Sequence, residues 1–344
     1  MKKSILLFAA ILFLFPLVGT TFAGIPGATD KVGAASLIVP FFEAGVDPAT
    51  NPQDTILVVT STSAATRIIH YHVWNIDGEA SLVNGNITLD PRETWSTTLG
   101  NLIASASTTT KTLLTDGTSG FYRGFVTIDI VTASTSLNPT ESGYPFSNVN
   151  LLEGYIYYAR ILQGSVTGLN MIPIEYVGSS VNALLRDLYQ SGDGREEIDS
   201  DARECAETII DGGTCVQHDN INYLDSRVYL DPAFNAASRI IIFTWDPGKT
   251  EGPSVYCDGS ASCDSTYTYT RRDEDGVARE TKQIRLDHAV NVMAVSGTRN
   301  GWVRIDDIPS GVQNFQIFAF SFNSATSASI STNYDAIFES YIIP

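Results

Sequence analysis

Apolar residues recur along this chain in short runs with the texture of strands rather than helices. Thr55–Thr60, Arg67–Trp74, Gly124–Val131, Gly154–Ala159 and Met171–Val177 are each rich in β-branched and aromatic residues. Clusters of Gly, Asp, Asn, Pro or Ser bound them, as turn chemistry bounds strands. The second half reads the same way: Arg239–Trp245, Thr266–Arg271, Gln283–Leu286, Trp302–Ile305, Phe315–Phe322 and Ser329–Phe338. Crossover helices are absent between these runs, so the pattern predicts an all-β fold of antiparallel, sandwich-like units. One region departs from it. Ser179–Gln190 sets Val181, Leu184, Leu185 and Leu188 at spacings of three and four, which predicts a short amphipathic helix. Asp199–Ile210, ending at Gly212-Gly213, reads as a second.

The runs also repeat in order. Thr55–Thr60 parallels Arg239–Thr244, and Asp77-Gly78 before Ile87-Thr-Leu-Asp90 parallels Asp275-Gly276 before Ile284-Arg-Leu-Asp287. Gly124–Asp129 parallels Gly301–Asp306, and Asn170–Glu175 parallels Tyr334–Glu339. Four matches in one order indicate two copies of a single β unit. Each Asp-Gly is expected to be a hairpin turn of type I′, whose central residues need positive φ. The predicted organisation is a leader over 1–23, one unit over 24–178, a helical connector over 179–225 and a second unit over 226–344. The segment Leu37–Phe42 is expected to pair with either unit.

The leader reading rests on Lys2 and Lys3, the apolar stretch Ile5–Val18 and the small residues flanking Phe22. That is the layout of a secretory signal peptide cleaved near Ala23/Gly24. Its apolar core is short against the roughly 20 residues a membrane helix needs. No later segment reads as a span, so a secreted or periplasmic location is expected. Four cysteines agree with an oxidising compartment. Cys205 and Cys215 flank Gly212-Gly213, while Cys257 and Cys263 flank a second short loop. They read as disulfides, pairing of neighbours being the simplest of three connectivities. Their spacings of ten and six do not match zinc knuckles.

Charge narrows the partners. Against 21 basic residues the chain carries 38 acidic ones, a net −17, and removing the leader makes it more negative. Such a surface repels phosphate backbones and anionic headgroups, so nucleic acid is not an expected partner. An unidentified protein or glycan is, and an open sheet edge would also allow self-association.

The segment Ala34-Ala-Ser-Leu-Ile-Val-Pro-Phe-Phe-Glu43, followed by Leu57–Thr60, His70-Tyr-His-Val-Trp74, Gly154-Tyr-Ile-Tyr-Tyr158 and Pro173-Ile-Glu175, resembles a group of exported, β-rich bacterial proteins. The resemblance implies export and a β fold. It brings no activity and no site residue with it.

Candidate chemistry is sparse. His70 and His72, two apart on a strand, share one face and could hold a metal, although Trp74 continues that face and no third ligand follows in sequence. Asp193, Asp199 and Asp201 lie in an acidic loop that offers oxygens to calcium without the EF-hand spacing. Tyr155, Tyr157, Tyr158, Phe121 and Tyr122 could form a stacking patch or belong to the core. No nucleophile motif, HExxH or paired-motif hydrolase signature is present. The sequence therefore predicts a non-catalytic exported protein without a cofactor, in a structural or interaction role at the cell surface, in the periplasm or in the extracellular matrix. A carbohydrate- or peptide-binding module, with or without calcium, is the alternative. A hydrolase with an unrecognised site comes after that.

Overall fold

The computed structural model describes residues 33–78, 83–115, 120–139, 141, 143–160, 165–174, 223–232, 236–245, 266–285, 289–306, 316–327 and 332–342. The leader, the helical connector with Asp193, Asp199 and Asp201 up to residue 222, and all four cysteines lie outside them; the connector's last three residues, 223–225, belong to a strand. The first half contains β1 (Ser36–Gly45), β2 (Gln53–Ser61), β3 (Arg67–Asn75), β4 (Val83–Leu89), β5 (Thr94–Thr98), β6 (Phe121–Val131), β7 (Leu152–Arg160), β8 (Ser165–Asn170) and β9 (Ile172–Ile174). Two short helices, α1 (Leu99–Ala104) and α2 (Thr108–Leu114), follow β5. The second half contains β10 (Tyr223–Val228), β11 (Ala237–Trp245), β12 (Thr266–Asp273), β13 (Ala278–Arg285), β14 (Val290–Val295), β15 (Gly301–Asp306), β16 (Gln316–Ser327) and β17 (Thr332–Ile342).

These strands form four antiparallel sheets, two per half. In the first half the orders are β5-β2-β7-β8 and β4-β3-β6-β1-β9; in the second they are β14-β11-β16-β17 and β13-β12-β15-β10. Substituting β10 for β1, β11 for β2 and so on to β17 for β8 turns one half into the other. The copies agree in register as well as in order. Asn75 lies opposite Gly124 as Asp273 lies opposite Gly301, and Ile69 opposite Ile87 as Tyr267 lies opposite Ile284. Side-chain bonding repeats too. The Thr55 hydroxyl bridges the backbone N–H and C=O of Glu43, both at 2.9 Å, and the Ser238 hydroxyl does the same at Tyr229, both at 2.8 Å.

These equivalences correct three sequence expectations. Thr55 corresponds to Ser238, so matching Thr55–Thr60 with Arg239–Thr244 is one residue out of step. A one-residue slip turns each side chain to the opposite face, and two runs of aliphatic residues hide it. Second, β17 corresponds to β8, and β9 has no counterpart among the described strands. The match of Asn170–Glu175 with Tyr334–Glu339 therefore fails. Third, the Asp-Gly turns are not of type I′. Only the glycines have positive φ, 72° at Gly78 and 77° at Gly276. Gly78 N donates to Asn75 O and Gly276 N to Asp273 O, while Asp273 N donates to Val277 O. This is the longer turn in which a left-handed glycine forms a bulge.

Alternation explains how each copy closes. Leu57 and Val59 on β2 and Ile156 on β7 face Leu37 and Val39 on β1 and Val126 and Ile128 on β6 in one buried core. Each such fully buried side chain contributes roughly 1.5–3 kcal/mol. Helix α1, capped by Thr98 accepting from Asn101 N at 3.2 Å, adds Leu99 and Ile103 to it. In the second copy Ile240 and Ile242 face Tyr267, Tyr269, Val303 and Ile305. Pro40, which lacks an N–H, falls in β1 between two hydrogen-bonded neighbours. The strand accommodates it with a bulge, since register breaks between Val39 and Phe42.

The halves are joined by a real interface. Ile241, Phe243, Phe320 and Phe322, on the other face of the β11 sheet, belong to the core of the first copy. Phe243 meets Phe125, with ring centroids at 5.3 Å, and Phe322 meets the edge of Tyr158 at 5.5 Å.

Close backbone approach at Gly124 and Gly301 gives a first prediction. A Cβ on Gly124 would fall 1.8 Å from Trp74 O, and one on Gly301 1.9 Å from Arg272 O. Gly124→Ala is expected to cost about 1–3 kcal/mol by forcing β3 and β6 apart. A urea midpoint equal to the parent's would refute this.

Candidate functional site

The two histidines fall where alternation puts them. His70, His72 and Trp74 share the outer face of β3, opposite Asp129, Thr127 and Phe125 on β6. Residues 132–139 and 143–150 cross that face as a strap. Thr132 N donates to Pro145 O at 2.8 Å and Ser147 N to Ile130 O at 3.0 Å. Asn86 on β4 exchanges two hydrogen bonds with the Thr135 backbone: Nδ2 donates to O at 2.7 Å and Oδ1 accepts from N at 3.0 Å. This fixes the amide's orientation, so His70 Nδ1, 2.9 Å from Asn86 Oδ1, is the donor in that contact. The Tyr144 hydroxyl donates to Asp129 Oδ2 at 2.9 Å.

The result is a sealed cluster. His70, His72, Asp129, Thr127 and Trp74 have no solvent exposure. The imidazole centroids lie 4.3 Å apart, and Tyr144 stands 5.8 Å from His70. His70 Nε2 and both ring nitrogens of His72 make no hydrogen bond with the described residues. Burial holds both imidazoles neutral. It lowers His70 against the Asn86 contact, and it lowers His72 to about 2 with help from His70, the nearby Leu137 backbone opposing weakly.

Two imidazoles and Asp129 are brought to one face, yet no group of three or more His, Cys, Asp or Glu among the described residues is placed to hold a metal ion. At the same strand positions the second copy has Thr268 and Thr270, so the duplication does not require histidine there.

Sequence reasoning missed a buried charge at the junction. Glu43 on β1, only 6% exposed, sits between Arg123 on β6 at 2.7 Å and Arg239 on β11 at 2.8 Å. It is an ionic link between the copies. Burial would raise its carboxyl, but the Arg239 and Arg123 guanidiniums together outweigh burial and hold it below its ordinary 4.5. The available signal was a lone acid inside the apolar run Leu37–Ala44, where an unpaired charge is prohibitive.

The aromatic candidates divide. Tyr158 and Tyr122 point inward, the Tyr158 hydroxyl donating to Phe41 O at 2.8 Å. Tyr155 and Tyr157 lie on the outer face of the β2–β7 pair beside Val58 and Ile56. Phe121 is half-buried under Arg123, whose guanidinium lies 5.6 Å from the ring centroid. A polar cleft in the second copy is lined by Asp231, Asp273, Asp275, Arg299 and Asn300 among others. Asp273 is committed there, bonded by Arg279 and by the Asp275 and Val277 N–H groups.

No protein-family model matches this chain, and no curated protein does. Among solved structures it is similar to one described as "Biofilm associated protein - BSP domain", at 10% identity and a TM-score of 0.19, over 96% of this chain and 54% of that one. The chain thus spans about half the length of that structure. No helix of the described residues is long and apolar enough to cross a membrane.

Proposed function

We propose that this is a non-catalytic exported protein with a structural or interaction role at the cell surface, in the periplasm or in the surrounding matrix. The observation that supports it best is the use made of the buried titratable groups. Glu43 joins the two copies, Asp129 ties down the strap, and the histidines are packed beneath it, out of reach of any substrate. A general base must reach the proton that it takes. The leader-like N-terminus and the resemblance to exported β-rich proteins support the location. Purified chain offered panels of glycans and esters should give no turnover above background, and fractionation should recover it outside the cytoplasm. Turnover abolished by changing one histidine or carboxylate would overturn the reading.

A carbohydrate- or peptide-binding role is favoured by one feature, the outward Tyr155 and Tyr157. Aromatic rings on a sheet face suit sugar stacking. Saturable glycan binding lost in Tyr157→Ser would replace the first reading with this one.

A further inference from the structure

The interface between the two copies is head-to-tail. The first copy contributes the outer face of its β3–β6 pair, the bulged end of β1 and part of β7, through Glu43, Arg123, Phe125, Tyr158 and Arg160. The second contributes the outer face of its β11–β16 pair, through Arg239, Ile241, Phe243, Phe320 and Phe322. These surfaces are not equivalent under the duplication. Each copy therefore owns both kinds, and among the described residues one of each takes no part in the junction.

The unused face on the first copy corresponds to the one that the second copy buries. By strand register Val58 stands for Ile241, Thr60 for Phe243, Tyr155 for Phe320 and Tyr157 for Phe322. Its centre carries exposed apolar side chains: Ile56 and Val58 are half-exposed, Tyr157 is 38% exposed and Val166, beside it on β8, 62%, with Thr60, Thr94 and Glu153 toward one end. Tyr157 lies against Gly168, where a Cβ would fall 2.7 Å from its ring. The unused surface on the second copy has Tyr229 where the first has Glu43, Asn300 for Arg123, Trp302 for Phe125 and Arg272 for Trp74. Tyr229, Trp302 and Arg272 are all half-exposed. Tyr, Trp and Arg are the residue types that anchor protein interfaces.

The polar link changes in step. Where the internal junction sets Glu43 against Arg239, the matching positions on the unused faces are Tyr229 and Ile56, an apolar pair with no unmatched charge. We propose that the outer face of the β5-β2-β7-β8 sheet docks the second copy of another molecule of this chain, extending the internal junction from chain to chain. A heterologous contact of this kind builds rows or rings rather than a closed two-fold dimer. The inference rests on the interaction role above by supplying its partner, and it fails separately, because a monomer can still bind something else.

Sedimentation of the purified chain across a wide concentration range tests it. The parent should show a weight-average mass that rises with concentration, past that of a dimer. Tyr157→Glu on one surface and Trp302→Ser on the other should each abolish that rise with melting temperatures close to the parent's. A 1:1 mixture of the two variants should form a dimer and stop there, since one live surface of each kind remains. A parent that stays monomeric to several hundred micromolar would overturn the proposal. So would a variant that associates as the parent does, a mixture that stays monomeric, or glycan binding on this face with no association.

Discussion

Replacing Glu43 with alanine is expected to cost the folded chain about 3 kcal/mol, because breaking a buried ion pair leaves its partner uncompensated. Two arginines lose their carboxylate at once. Arg123 and Arg239 are 15% and 23% exposed, so water relieves only part of the loss. Arg239→Ala should be milder, since Glu43 keeps Arg123. The change also falls at the junction, so denaturant unfolding should split into two steps as the copies uncouple. A single transition at the parent's midpoint would refute the assignment. The linkage has a definite sign. A carboxyl held below its ordinary value stabilises the fold above pH 4.5, and that contribution is lost as pH falls through its folded value.

The histidines give the second large effect, in a different pH range. Imidazoles with lowered folded values stay neutral while the unfolded chain takes up protons below about pH 6.5. Their contribution is whole above that pH and shrinks as the solution is acidified. With the folded value of His72 near 2, that residue alone should cost about 2 kcal/mol at pH 5. That cost barely depends on the folded value, because any value well below 5 gives the same result. Asp129 and Tyr144 face the same cluster, so the comparison should be made with a variant rather than with theory. His72→Thr, which copies the second copy's Thr270, should lose about 2 kcal/mol less than the parent between pH 7 and pH 5 in urea titrations. Equal losses would sink the assignment.

Strand texture carried most of the fold. The runs at Thr55, Arg67, Gly124, Gly154 and Arg239 all lie within strands, because each alternates or carries β-branched residues where a face is buried. Less apolar strands escaped notice. β5, Thr-Trp-Ser-Thr-Thr, was missed, and of β13, rich in Arg, Glu and Lys, only the end from Gln283 was read; both are sheet edges. The short helices α1 and α2 were hidden among serines and threonines that act as caps. The duplication was legible through its turns and glycines, since Gly124 and Gly301 answer to the same close carbonyl. Between aliphatic strands it was not, because Ile and Val on either face look alike.

At the candidate site, sequence placed His70 and His72 on one face but gave no hint of their cover. The strap's ties, Asn86 to Thr135 and Tyr144 to Asp129, join residues far apart in the chain. Only register reveals them. The Glu43 link to Arg239 spans the two copies and is equally invisible to local pattern.

The path of the chain through the sheets carries a last consequence. In the first copy successive strands shuttle between the two layers, so β1 is flanked by β6 and β9 rather than by β2. Neighbours in space are thus seldom neighbours along the backbone. Severing the loop between β4 and β5 would leave β1, β2 and β3 each hydrogen-bonded to a strand beyond the cut, as a woven fabric survives one broken thread.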